Sequence, residues 1–126
     1  MVRLFIRHVS GSRATEVDIV ELGAHRELIF GRATSAAVRF DSRHDASVGR
    51  HHARLDWDPT IPTSLRIMDL QSRNGTWVNG ARIFSSVSLQ VGDVVQLGTL
   101  GPSFEVQLEI EAELQRAVHQ PIRPLS

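Results

Sequence analysis

Three short clusters of hydrogen-bond donors punctuate this sequence: Gly31-Arg32, then Ser47-Val48-Gly49-Arg50-His51-His52, then Ser72-Arg73-Asn74-Gly75-Thr76. They hold three arginines, an asparagine, serines and glycine-flanked backbone amides, and they are short of carboxylates. A guanidinium is a planar fork that meets two oxygens of one anion at once, and amides and hydroxyls extend the same chemistry. A donor-rich, acceptor-poor set suits a dianion. Between Gly31 and Arg54 there are five arginines and two aspartates, a local excess of +3. The acidic residues Glu105, Glu109, Glu111 and Glu113 follow near the other end of the chain.

Other chemistries find little support. The chain has 126 residues with 14 basic and 14 acidic, and every basic one is arginine. Without lysine there is no P-loop phosphate cradle and no Schiff base. Without cysteine there are no disulfides, thiolate metal sites or cysteine nucleophiles. His44, Asp45, His51 and His52 are close in sequence, but neighbouring strand residues point to opposite faces and do not share a metal. Ser47 and His52 lack the Gly-x-Ser-x-Gly elbow of a hydrolase. Trp57 and Trp77 sit at alternating positions on short strands and read as core or half-core rather than as base-stacking platforms. A neutral net charge argues against nucleic acid as a partner. No apolar run is long enough for membrane insertion and no signal peptide opens the chain, so the expected location is cytoplasmic.

The elements that must position these clusters are strands. Phe104, Val106, Leu108 and Ile110 alternate with Ser103, Glu105, Gln107 and Glu109, the period of a half-buried strand. Further strands are expected at residues 2–9, 15–22, 28–30, 38–40, 52–57, 65–70, 76–78, 82–84, 87–91 and 94–97. Short strands at close spacing, separated by turn residues, predict an all-β, two-sheet antiparallel β-sandwich. Asn79-Gly80, between Trp77-Val78 and Arg82-Ile83, is a hairpin signal because both residues accept positive φ. Residues 33–37 and 41–50 read as longer loops, and 58–63, with Pro59 and Pro62, as a plain connector. The domain is expected to span 1–110, followed at 111–126 by a short helical or frayed C-terminal tail.

In order and spacing, Gly31-Arg32, the run from Val48 to Leu55, the run from Asp69 to Gly80, Gly92-Asp93 and Leu97-Gly98 resemble the forkhead-associated (FHA) domain. The resemblance covers about residues 2–110. It implies an FHA/SMAD-like sandwich of about eleven strands that binds a phosphothreonine peptide at one end, with no catalysis and no cofactor. The implied partners are a threonine-phosphorylated protein segment and an upstream Ser/Thr kinase. By the same resemblance, Arg32 matches the phosphate-binding arginine and Asn74 the amide that pairs with the peptide backbone. Arg73 stands where the family places another phosphate-proximal residue. His52 matches the histidine that braces the loops, while Gly31, Gly75, Asn79 and Gly80 match structural positions. One departure stands out: Gly49 replaces the family's phosphate-contacting serine. The amide remains and the hydroxyl is gone, a loss of about 1–2 kcal/mol unless Ser47, Arg50 or Arg73 makes it good. Ser72 belongs to the same donor set. Gly49 is also the reason for the alternative expectation, a phospho-independent scaffold or oligomerisation domain.

Overall fold

A computed structural model describes residues 2–110, which form eleven strands in two sheets. In chain order they are β1 (Val2–Ser10), β2 (Val17–Glu21), β3 (Glu27–Gly31), β4 (Val38–Arg39), β5 (Ala53–Asp58), β6 (Ile61–Asp69), β7 (Thr76–Val78), β8 (Ala81–Arg82), β9 (Val87–Ser88), β10 (Val94–Leu97) and β11 (Ser103–Ile110). One sheet has the order β2-β1-β11-β10-β7-β8 and the other β4-β3-β5-β6-β9. A single 3-10 turn, Leu22–Ala24, joins β2 to β3. The tail expected at 111–126 lies outside the described residues.

Alternation in the sequence becomes the two-faced burial of each sheet. Along β11, Phe104 and Val106 are buried, while Glu105 and Glu109 lie on the outer face across from arginines of β1. Glu105 pairs with Arg7 at 3.2 Å, and Glu109 pairs with Arg3. Two of the acidic residues near the end of the sequence thus belong to a cross-strand charge ladder rather than to a free acidic patch. Facing side chains fill the space between sheets: Leu4, Ile6, Val95, Leu97, Phe104 and Val106 from one, Leu28, Phe30, Ala53, Leu55, Trp57, Leu65 and Ile67 from the other. Phe30 and Phe104 stack across the seam with ring centroids 4.6 Å apart and planes 4° from parallel. Each such fully buried large side chain contributes about 1.5–3 kcal/mol relative to exposure.

The Asn79-Gly80 turn forms as expected, with φ of 50° and 83° and with Val78 paired to Ala81. Asn79 also ties down a second turn, donating from Nδ2 to Asp93 at 2.9 Å and accepting from the Val94 amide at 2.9 Å. Two local readings need correction. Residues 58–63 are not a plain connector: Asp58 pairs with Ile61 across a turn at Pro59-Thr60, and Thr63 lies within β6. The Asp58 carboxylate accepts from both the amide and the hydroxyl of Thr60, which holds the turn. The sheets are also not wholly antiparallel, because β3 and β4 pair in parallel, Phe30 with Val38 and Gly31 with Arg39.

Candidate functional site

The three donor clusters arrive at one end of the sandwich through three connections. Arg32 opens the β3–β4 turn, residues 40–52 link β4 to β5, and residues 70–75 cross from one sheet to the other between β6 and β7. Gly31 permits the first approach. A Cβ there would lie 2.0 Å from the Arg50 carbonyl oxygen, so only glycine lets β3 touch the neighbouring loop. The contact is then sealed by Arg32 N–H donating to Gly49 O at 3.0 Å and Ala33 N–H to Arg50 O at 3.1 Å.

His52 stands immediately before β5. It is fully buried, and its ring joins two loops. The Gly49 amide donates to Nδ1 at 2.9 Å, and Nε2 donates to the Gly75 carbonyl at 2.7 Å. That pattern requires the neutral ring protonated at Nε2. Burial pushes its pKa down, against the Gly75 carbonyl and the Asp69 charge, which favour the protonated form. Gly75 O also accepts from the Gly98 amide at 2.9 Å, so one carbonyl holds the β10 end as well. Gly75 itself has φ of 86°, a conformation suited to glycine.

Arg32 and Asn74 converge on one loop. The Arg32 Nε donates to the Val48 carbonyl, and Asn74 Nδ2 donates to the Ser47 carbonyl at 2.8 Å. Side chains from two different connections are thereby held on consecutive carbonyls. Among the described residues no carboxylate pairs with Arg32, Arg50 or Arg73, and Arg50 and Arg73 are exposed. The terminal nitrogens of Arg32 and the Asn74 Oδ1 have no partner there either. Nearby carboxylates are engaged elsewhere. Asp69 accepts from Ser72 and Thr76, and these bonds hold its pKa down although burial acts to raise it. Asp45, buried, accepts from the amide and hydroxyl of Ser12. Asp41 accepts from the amides of Arg43 and His44. Arg32, Arg50 and Arg73 thus have no carboxylate partner among the described residues, while the carboxylates of Asp41, Asp45 and Asp69 are engaged by neutral donors.

Three of the expected ligand donors have internal duties. The Gly49 amide is already committed to His52, so the position offers neither hydroxyl nor free N–H; the amides of Arg50 and His51 have no partner among the described residues. Ser72 donates its hydroxyl proton to Asp69 at 2.5 Å and accepts from the Gly75 amide at 2.9 Å, which makes it a loop brace. Ser47 enters the site through its carbonyl; its Oγ packs against Gly98 and Gly101, 2.7 and 3.0 Å from where their Cβ atoms would be. His51, exposed, lies 3.2 Å from Ser35 Oγ, away from His52. No cluster of three metal-ligating side chains occurs among the described residues.

Sequence reasoning missed two contributors. Asp69 organises the 70–75 loop, and its signal was the Asp-x-x-Ser spacing to Ser72. Arg82 lies against Gly75, with its Nε 2.8 Å from the place of a Cβ there, and the Asn79-Gly80 turn could have placed it opposite Trp77.

Comparison with known proteins bears on the family and the fold. Vacuolar protein sorting-associated protein 64 of Saccharomyces cerevisiae is 44% identical over 78 residues, covering 61% of this chain and 12% of that protein, so the chain spans a small part of its relative. A structure solved in a structural and functional analysis of phosphothreonine-dependent FHA domain interactions superposes with a TM-score of 0.69 at 27% identity, over 86% of this chain and 98% of that one. Mycobacterium tuberculosis EmbR in complex with a low-affinity phosphopeptide gives 0.66 at 26%, over 83% of this chain and 24% of that one. The FHA domain family model matches residues 28–98, more than half of the sequence and all three loops, and the chain belongs to the FHA domain family.

Proposed function

We propose that this domain is a non-catalytic module that binds threonine-phosphorylated segments of partner proteins, downstream of a cytoplasmic Ser/Thr kinase. The observation that carries the reading is the convergence of Arg32 and Asn74 on the Val48 and Ser47 carbonyls, with the Arg32 fork open. A phosphothreonine carries about −1.5 to −2 charge and three acceptor oxygens. Arg32 would take two of them, each charge-assisted hydrogen bond contributing about 1.5–3 kcal/mol. Arg50 and Arg73 flank that position, and the unpartnered Arg50 and His51 amides supply the donors that Gly49 does not. Asn74 would pair with the peptide backbone through its remaining Nδ2 proton and Oδ1.

The engagement of the Gly49 amide by His52 favours a second reading, docking of an unmodified partner on the same loops. Calorimetric titration of a phosphothreonine peptide pool beside its unphosphorylated twin separates the two. Binding of the phosphorylated pool alone, weakened tenfold or more in Arg32→Ala (about 1.4 kcal/mol), supports phosphothreonine recognition. Equal binding of both pools, indifferent to Arg32→Ala, supports the phospho-independent module.

A further inference from the structure

At the end of the sandwich opposite the three loops, the two sheets leave a groove. β5 reaches that end at Trp57-Asp58, β6 starts from it at Ile61, and β11 finishes there at Ile110. The groove has a volume of about 1370 Å³, and Trp57, Leu65 and Leu89 are buried at its floor. Its lips are apolar as well: Ile61 and Val91 are each 54% exposed, and Ile110 is 39% exposed. Single exposed apolar residues are ordinary, but three around one groove mark a surface that a further segment covers.

Strand pairing accounts for the opening. β10 pairs with β11 only between Ser103 and Glu105, whereas β1 stays paired with β11 as far as Ile110. Leu108 and Ile110 therefore border the groove with no strand on their β10 side among the described residues. The β9–β10 connection closes only the inner part. Its Leu89 amide donates to the Leu65 carbonyl at 2.8 Å, and its Gly92 amide donates to the Val106 carbonyl at 2.8 Å. The second bond holds Val91 beside β11, four residues before Ile110.

The sequence that follows has the composition to cover this surface. Ile110, on the lip, is the last described residue, and residues 111–126 continue from it. Leu114, Ala117 and Val118 recur there at the spacing of one apolar face, with Ile122 beyond. Four residues of chain reach at most about 14 Å, and the four strand steps from Val106 to Ile110 cover about 13 Å. A chain that turns back after Ile110 therefore brings Leu114 to Val91.

We propose that the groove is the docking site of this chain's own following segment, with Leu114 and Val118 seated over Trp57, Leu89 and Leu108. A short tether sets an effective concentration of about a millimolar, so a modest apolar contact is enough to fill the groove in cis. A separate peptide of equal affinity does not compete. The groove and the loops of Arg32 and Asn74 are at opposite ends, so this inference is independent of the phosphothreonine reading.

The test keeps the full sequence. Wild type is compared with the double variant Leu114→Asp/Val118→Asp, which alters no described residue, and with Val91→Asp, which alters a lip already exposed. NMR spectra of amides and indoles, thermal unfolding and sedimentation are recorded for each, and a synthetic peptide of residues 111–126 is titrated in. In the double variant the Trp57 indole and the Leu65, Leu89 and Leu108 amides should shift, while Arg32 and Asn74 stay in place. The unfolding midpoint should fall by roughly 4–8 °C. Val91→Asp should lower it similarly, and combining all three substitutions should add little. The peptide should move the Trp57 signal in Val118-substituted chains but not in wild type, whose groove is filled. Identical groove signals in wild type and the double variant overturn the proposal, as does a wild-type chain that takes up the peptide equally well. Groove signals of wild type that change as a dimer dissociates on dilution overturn docking in cis in favour of a second copy's segment.

Discussion

Replacing Gly49 by serine restores the hydroxyl that the family places beside the phosphate, and the backbone is ready to accept it. A Cβ at Gly49 would meet His52 Nδ1 at 3.6 Å and the His52 Cα at 3.7 Å, ordinary contacts, and its φ is not in the left-handed region. The Gly49 amide can keep its bond to His52. A new O–H to a phosphate oxygen is charge-assisted, about 1.5–3 kcal/mol, and ordering one serine rotamer offsets about 0.5–1 kcal/mol of that. The net gain of about 1–2 kcal/mol is an affinity increase of roughly five- to thirtyfold. Removing a glycine also restricts the unfolded chain, adding about 0.4–1 kcal/mol to stability. The assay is a matched pair of titrations, phosphorylated and unphosphorylated peptide, against wild type and Gly49→Ser, with thermal unfolding of both proteins. Tighter binding confined to the phosphorylated peptide is expected. Unchanged or weaker phosphopeptide affinity in a variant at least as stable as wild type would refute the placement of the phosphate beside residue 49.

Gly31→Ala sets a Cβ against the Arg50 carbonyl at 2.0 Å, a backbone clash that no rotamer relieves, so urea midpoints should show a loss of about 2–3 kcal/mol. Phosphopeptide binding should fall with it, because Arg32 and the 49–50 loop move apart. The pKa of His52 is depressed by burial, so its contribution to stability is complete above the unfolded value near 6.5 and is lost as pH falls from there toward the lower folded value. Denaturant midpoints at stepped pH between 7.5 and 5 should decline, and less so in His52→Gln. Asn79→Ala removes two side-chain hydrogen bonds and places alanine at φ 50°; calorimetry should record a loss of about 1–2 kcal/mol with phosphopeptide affinity nearly intact, since Asn79 anchors the β9–β10 turn rather than the rim.

Strands whose two faces differ were the most legible part of the fold. β7, β10 and β11 begin and end where alternation and turn residues place them, because one buried face fixes their register. The 58–63 segment was misread because its prolines suggested a break, whereas the Asp58 side chain closes a tight turn and pairing resumes at Ile61. The parallel β3–β4 ladder has no pattern in the residues themselves; it follows from the 32–37 segment carrying the chain back along β3. At the site, motif order drew attention to Arg32, Asn74 and His52, which the structure places at one end of the sandwich. The internal duties of the Gly49 amide and the Ser72 hydroxyl were not, since residue type shows that a donor exists but not which acceptor reaches it first. Arg82 escaped notice because a short strand with ordinary alternation hides a cross-strand neighbour.

The loop from Leu70 to Gly75 is the passage by which the chain changes sheets, and its carbonyl at Gly75 receives His52 from one layer and Gly98 from the other. A peptide gripped by both Arg32 and Asn74, as proposed, would therefore straddle the seam and act as a clasp. Amide exchange should slow on ligand binding in strands of both layers that the peptide never touches. Pulling the layers apart should in turn release the peptide before either sheet frays, so that occupancy of the rim reports the mechanical integrity of the whole sandwich.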